Sequence, residues 1–502
     1  MRPVFIYSLF VLIVFTVYYP CLNYDFVWDD HDYLVNNKSI LETPNLLSYF
    51  TDAQTFSQSL DAKIYRPIRN ICYWLEYQFW GMNSSGFHFD SLLIHSVNCI
   101  LLYVLCRQLF SHLLLSILLA ILFCVHPINP EVVCWIKSRD DLLCSLFALT
   151  SLLSYFKYVK NKNLLLYMMS ISCFALCLFS KEAGAGLLFV FIYLILKSDQ
   201  LESKQKIGQS LCLIVVSLLY LFMRTGALNS LNQGRYIGGT FWNTQLGMAK
   251  IYLQYLSQLL IGLPQRVNYM GYDPFTCGIP CLVLMWIGLS LSFIGLWSRF
   301  KTSRVYLIFL VFSFLPVSNI MPMMQWQADR FLYFPMLFYF LLTASLLKNI
   351  FSQKKYFRFI LIFFSFYLGF LTWSAVQRHS IWKNNKTLGL SMLESNPYSY
   401  HGLALVLEYN QKHKDFSENI ALGSQFLERF PNEEIIYHYL AYAYINTKEY
   451  EKAKRVTEKG LKWFPDSTLL KRFHAFLVNQ EKRFLGSTPL NSSDSSLNSL
   501  SP

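Results

Sequence analysis

Runs of 15 to 20 apolar residues recur along residues 1–376, each closed off by charge or by Pro and Gly. That is the length at which a helix crosses a hydrocarbon layer of about 30 Å with every backbone hydrogen bond satisfied internally. The pattern predicts eleven spans, near 4–20, 89–106, 113–125, 142–157, 163–180, 184–197, 207–223, 279–297, 304–320, 331–348 and 358–376. A further apolar stretch, 247–263, would put the Arg299–Arg304 loop on the wrong side of the positive-inside rule if it crossed, so it reads as an interfacial or re-entrant helix. Beyond 376 the residues are polar with a helical period, and from Gly486 the Ser- and Asn-rich tail predicts disorder.

The expected fold is therefore all-α. A multi-spanning domain covers 1–376, with an external loop at 21–88 and an external or interfacial segment at 224–278; helical repeats cover 377–485 and a tail 486–502. Composition agrees: 502 residues that are 54% hydrophobic and 15% charged exceed what a soluble core could bury. Arg2 precedes the first apolar run and no small-x-small cleavage site follows, so that helix reads as retained.

The net charge of +13 sits mostly in short loops between apolar runs, without base-stacking aromatics interleaved, which points to topology and away from nucleic acid. With a cytoplasmic N-terminus, the inside loops hold Arg2, Arg107, Lys157, Lys160, Lys162, Lys197, Lys204, Lys206, Arg299, Lys301, Arg304, Lys348, Lys354, Lys355 and Arg358, with Asp199 and Glu202 as their only acids. The outside then receives Asp25, Asp29, Asp30, Asp32, Glu131, Asp140, Asp141, Glu182, Asp273, Asp329 and the C-terminal repeats. A charge at bilayer depth costs about 2.5–3.5 kcal/mol on the most lenient scale, so acids gathered at helix ends on one face suggest a polar cavity. The twelve cysteines show neither metal-ligand spacing nor an extracellular framework and read as small core residues.

Pro397, Pro431 and Pro465 stand 34 residues apart, the period of a tetratricopeptide repeat. Tyr437, Leu440, Ala441, Tyr444, Ala453 and Pro465 occupy that repeat's small and aromatic positions. Two units and a capping helix would make a small groove, suited to a peptide or partner helix, or merely packed on the membrane domain.

Four external ends carry candidate chemistry. Asp29 and Asp30 follow the first span, and adjacent carboxylates raise the pKa of at least one, as a general base requires. His126 opens a second loop in which Glu131, Trp135, Ser138 and Arg139 fall at helical spacing; a helix there would turn an acid, an aromatic and a phosphate-matching guanidinium to one side. Lys181-Glu182 ends one span and Asp329-Arg330 begins another. No phosphate loop, Gly-x-Ser-x-Gly, His-Glu-x-x-His or Cys-x-x-Cys occurs, so nucleotide hydrolysis, serine-type hydrolysis and tetrahedral zinc find no support.

Taken in order, Phe26-Val27-Trp28-Asp29-Asp30, Tyr65-Arg66-Pro67, Gly86-Phe87-His88, His126-Pro127 through Glu131, Trp135 and Arg139, Ser180-Lys181-Glu182, Arg330-Phe331-Leu332-Tyr333 and Trp382 resemble the transmembrane and tetratricopeptide-repeat-containing glycosyltransferases of the GT-C superfamily. The resemblance implies inverting transfer of a sugar, mannose in animal members, from a polyprenyl-phosphate carrier to a hydroxyl acceptor, protein or glycan, outside the cytoplasm. Carried over by residue, Asp29 takes the acceptor proton and Asp30 assists. Arg139, Lys181 and Arg330 hold the carrier phosphate, with Glu131 and Glu182 orienting them and Trp135 and His126 in support. A divalent cation is compatible with this set and not required by it, and no metal ligands are assigned. Asp329 stands where the family commonly has Glu; the length of the chain and the brevity of the repeat favour a bacterial inner-membrane protein, with the endoplasmic reticulum membrane as the alternative. Rival readings are a lipid or glycan transporter and a membrane-anchored repeat scaffold.

Overall fold

The computed structural model describes residues 3–484 except 43–44, 59–63, 229–233, 264, 270–271, 354 and 356; the expected disordered tail, 486–502, lies outside the described residues. The described chain is helical and contains no strand. It divides into two compact units, Met1–Asn384 and Asn385–Pro502, so the Ser380–Lys383 turn with Trp382 belongs to the membrane unit.

Among the described residues, seven helices are long and apolar enough to cross a membrane: Pro3–Asn23, Ser84–Phe110, Ile136–Asn161, Ser203–Leu228, Ile279–Arg299, Asp329–Phe351 and Arg358–Lys383. The chain is an integral multi-pass membrane protein. The other four predicted spans fall on shorter apolar helices, Leu113–Val125, Leu164–Ser180, Ala185–Lys197 and Arg304–Phe314. The stretch around 247–263 forms Phe241–Ile261, closed by Gly262 at φ 71°. Only glycine adopts that angle without strain.

Local chemistry sets several of these ends. Asn83 and Asn163 each accept the backbone N–H two residues on, at 3.1 and 2.9 Å, satisfying a donor that the first helical turn leaves open. Helices differ in what they bury. Asp329–Phe351 is 72% buried over its apolar window, whereas Ile279–Arg299 is 6% buried and turns Leu284, Leu291 and Ile294 outward. Outward Leu and Ile are the expected surface of a helix whose solvent is lipid. Gly186 lets its helix touch the next: a Cβ there would lie 2.5 Å from the Phe312 carbonyl oxygen.

The described part of segment 21–88, expected as an external loop, holds regular helix. It contains the amphipathic helix Pro67–Trp80, which buries Arg69, Asn70, Tyr73 and Glu76.

The second unit consists of consecutive helices packed on their neighbours, Asn385–Ser395, Tyr400–Lys412, Phe416–Arg429, Glu434–Asn446, Tyr450–Trp463 and Thr468–Phe484. Pro397, Pro431 and Pro465 each begin the turn after a helix. Tyr437, Leu440, Ala441, Tyr444 and Ala453 share one buried cluster. Gly389 and Gly402 permit close approach: a Cβ on Gly389 would meet the Gly402 carbonyl oxygen at 2.5 Å.

Candidate active site

The acidic turn is built around Asp30. Its backbone N–H donates to the Val27 carbonyl at 3.0 Å, its Oδ2 accepts from the Val27 N–H at 2.9 Å, and its Oδ1 accepts from the Lys137 N–H at 2.7 Å. Closing this turn holds Trp28 at φ 51°, an uncommon conformation for a bulky side chain. Asp30 is 1% exposed, and burial pushes its carboxyl up to about 7 against those two backbone donors, with the neighbouring Asp29 charge adding to the rise. Asp29 stands beside it with its side chain 29% exposed and its Oδ2 3.2 Å from Lys137 Nζ. The two acids thus differ in access: Asp30 is consumed in joining two loops, and Asp29 faces outward.

The second loop does not continue as one helix through 131–139. A short helix, Asn129–Val133, ends at Cys134; Trp135 is extended, a tight turn covers Ile136–Ser138, and Arg139 starts the long helix. The break sends the predicted cluster in two directions. Glu131 Oε1 accepts from Arg330 Nη1 at 2.7 Å, whereas Arg139 Nη2 donates to the Phe87 carbonyl at 2.6 Å and lies 3.2 Å from Glu76 Oε1. Arg139 is fully buried, and burial pushes Glu76 up to about 7 against its charge. That guanidinium is spent inside the fold.

Trp135 stacks on Trp28 with centroids 5.1 Å apart and on Trp382 at 5.0 Å. Lys137 Nζ lies 4.7 Å and Arg330 Cζ 5.1 Å from its ring centroid, both within cation–π range. The structure therefore brings Asp29, Lys137, Trp135, Arg330 and Glu131 into one contiguous group. Arg330 is braced from behind by a buried box in which Arg378 donates to Asp329 and approaches Glu131 Oε2 at 3.7 Å. Burial raises the Glu131 carboxyl and the Arg330 charge opposes the rise. Gln258 and Tyr269 also donate to Asp329, at 2.7 and 2.5 Å. His126 is buried outside the group, with Nε2 3.2 Å from the Leu259 carbonyl; burial lowers it to about 4, so it is neutral at pH 7.

Lys181 donates to Asp141 and stands 3.6 Å from Asp140 Oδ1. Arg66 donates to Asp140, and its Nη2 meets Glu182 Oε1 at 2.8 Å. Burial would lift Glu182, but the Arg66 and Arg224 guanidiniums outweigh it and hold the carboxyl down at about 2. Tyr33 links this cluster to the first, with Arg69 Cζ 4.6 Å and Lys137 Nζ 5.4 Å from its ring centroid.

Sequence reasoning missed Lys137, Arg66, Arg224 and Arg378 as site members. Lys137 sits two residues after the aromatic already singled out, and Arg66 precedes a proline, which keeps it out of helical backbone, at φ −143° and ψ 65°. Those signals were readable. Arg224 and Arg378, embedded in apolar helices, are informative only once their carboxylate partners are known. The cysteine expectation is corrected too: Cys21 and Cys134 form a disulfide, Cα–Cα 5.8 Å, tying the end of the first span to the second loop. Their separation of 113 residues hides the pairing from any spacing rule. The membrane unit's last residues close over the same region, the Asp25 N–H donating to the Lys383 carbonyl at 3.0 Å and Tyr24 Oη lying 2.7 Å from His379 Nδ1.

No family model matches the chain, and no solved structure does. Among curated proteins it is 27% identical over 440 residues to the protein O-mannosyl-transferase F38B6.6 of Caenorhabditis elegans, an alignment covering 82% of this chain and 61% of that protein. It is 33% identical over 211 residues to the human protein O-mannosyl-transferase TMTC4, covering 36% of this chain and 28% of that one. A similar stretch, 31% identical over 204 residues, aligns with tmtc2 of Xenopus laevis, covering 37% and 24%. The chain is similar to the TMTC-like protein O-mannosyl-transferases. It spans about three fifths of the length of the nematode relative and less of the others.

Proposed function

We propose that this TMTC-like chain is a membrane glycosyltransferase that moves a hexose, mannose by analogy with its relatives' names, from a polyprenyl-phosphate carrier to a Ser or Thr hydroxyl of a protein on the extracytoplasmic face. The observation that carries the reading is the outward Asp29 carboxylate, fixed beside Lys137 on a turn that the buried Asp30 locks. Asp29 takes the acceptor proton as the hydroxyl oxygen attacks the anomeric carbon. The carbon–oxygen bond to the carrier breaks on the opposite side, which inverts the centre, and the bonding pair leaves on the phosphate. Such a leaving group needs positive charge more than a strong acid. Lys137, Lys181 and Arg330 supply it; Arg139, committed to Glu76, is outside the set. The Cys21–Cys134 bond supports a non-reducing compartment for this face, whether periplasm or lumen. The helical unit after Asn384, read as tetratricopeptide repeats, serves as the acceptor dock.

The test is incubation of purified full-length protein with labelled polyprenyl-phosphate sugars and Ser/Thr-containing acceptors, wild type against Asp29→Asn. Transfer by wild type and its loss in the variant is the expected result. Absence of transfer with every donor, or equal transfer by both proteins, overturns the reading.

A further inference from the structure

The helix ends opposite the acidic turn form a second charged surface, built chiefly of lysine. Helix Arg139–Asn161 carries Arg139 at the site end and Lys160 about 30 Å away at the other. The chain turns there into Leu164–Ser180, and a second turn joins Ala185–Lys197 to Ser203–Leu228. These helices pack on their neighbours, and the two turns meet: Lys162 Nζ donates to the Gln200 carbonyl at 2.6 Å. Lys162 holds φ at 55°, a left-handed angle that helix ends usually assign to glycine. Lys206 Nζ closes the second turn on the Leu196 carbonyl at 3.2 Å. Around these two ties Lys157, Lys160, Lys197 and Lys204 are exposed. Six lysines thus share a surface with two acids, Asp199 and Glu202, and among the described residues no ion pair joins any of the eight.

The positive-inside rule accounts for the side on which these lysines lie, but not for two separate turns being tied into one patch. The surface next to the patch selects its partner. Within two helical turns of the lysines, Leu164, Leu165, Met168, Leu196, Ile207 and Leu211 all face outward, Leu165 at 73% and Ile207 at 62% exposure. Outward apolar side chains on membrane helices meet acyl chains. A lysine lays its stem along such a surface and lifts its amine to headgroup level. A soluble polyanion would meet the amines alone, whereas an anionic phospholipid meets both the amines and the apolar surface beside them.

We infer that this face binds anionic phospholipid of the adjoining leaflet, with Lys157, Lys160, Lys197 and Lys204 holding the headgroup phosphate and the acyl chains lying on the apolar surface at 164–168 and 207–211. A lipid so held clamps together two helical hairpins whose turns already touch through Lys162 and Gln200. The inference goes beyond the transferase reading and does not depend on it, because the patch stands at the far end of the helices from Asp29.

Native mass spectrometry of the full-length protein in detergent, titrated with phosphatidylglycerol or with phosphatidylcholine of the same acyl chains, measures the preference. A lysine at a membrane surface is worth about fivefold in affinity for anionic lipid, so two amines on one headgroup give a preference of about twenty-five-fold. The variant Lys157→Gln/Lys160→Gln/Lys197→Gln/Lys204→Gln is expected to lose most of that preference, and the same four positions changed to Arg to keep it. A control that removes equal charge from other loops expected on that side, Arg299→Gln/Lys301→Gln/Lys348→Gln/Arg358→Gln, is expected to keep it as well. An unchanged preference in the first variant, or an equal loss in the control, overturns the inference. Wild type supplies a check that needs no variant to fold: its preference should shrink as ammonium acetate rises from about 0.1 to about 1 M, and a preference indifferent to salt overturns the inference too. Displacement of phosphatidylglycerol by tripolyphosphate at equal concentration overturns the lipid assignment in favour of a soluble polyanion.

Discussion

Replacing each acid of the turn by its amide separates their roles. In Asp30→Asn the side chain keeps one oxygen for the two backbone donors, Val27 N–H and Lys137 N–H, that the carboxylate accepts at 2.9 and 2.7 Å. The amide NH₂ then faces an N–H, and a fully buried donor loses its partner, at a cost of about 1–3 kcal/mol. Asp29→Asn removes one ion pair whose carboxylate is 29% exposed, worth about 0–1 kcal/mol. Thermal melting of purified protein is thus expected to show Asp30→Asn clearly destabilised and Asp29→Asn close to wild type. Sugar-transfer assays well below both midpoints should show the opposite order, with Asp29→Asn inactive and Asp30→Asn retaining activity. Destabilisation confined to Asp29→Asn, or inactivity of Asp30→Asn with an unchanged melting midpoint, would refute the division between a base and a structural tie.

Because the folded Asp30 carboxyl titrates near 7 and the unfolded one near about 4, the folded state holds a proton that the unfolded chain lacks in between. Its contribution is complete below about pH 4 and falls by about 1.4 kcal/mol per pH unit up to about 7; Glu76 acts in the same direction in both proteins, so the fall of the melting midpoint from pH 5 through 6 to 7 should be steeper for wild type than for Asp30→Asn. Arg139→Met strands Glu76 in the interior and should cost about 3–5 kcal/mol, seen as lost folded yield, with Arg139→Met/Glu76→Leu recovering most of it. Paired Cys21→Ser and Cys134→Ser should lower stability by about 2–4 kcal/mol, and non-reducing peptide mapping of wild type should recover the cross-linked peptide.

Much of this was readable from the chain. Apolar run length located the membrane helices because lipid leaves few alternatives to a complete helix. The 34-residue proline period located the second unit's turns. Asp29-Asp30 was legible as a pair, but not which member faced outward, since that depends on a hydrogen bond to Lys137, 107 positions away. Helical spacing failed between Glu131 and Arg139 because the backbone extends at Trp135, where tertiary stacking overrides local period. Helix Pro67–Trp80 went unread inside its loop, and with it Glu76, the partner that removes Arg139 from the surface.

The closing contacts near Lys383 bear on biogenesis. Asp25 is paired to a carbonyl about 360 residues later in the chain, and Trp135 to a ring about 250 residues later. A ribosome that has delivered the chain through helix Asp329–Phe351 has therefore delivered the acidic turn without the segment that seals it. The seal forms in one step, when helix Arg358–Lys383 is in place and its end folds back over the first.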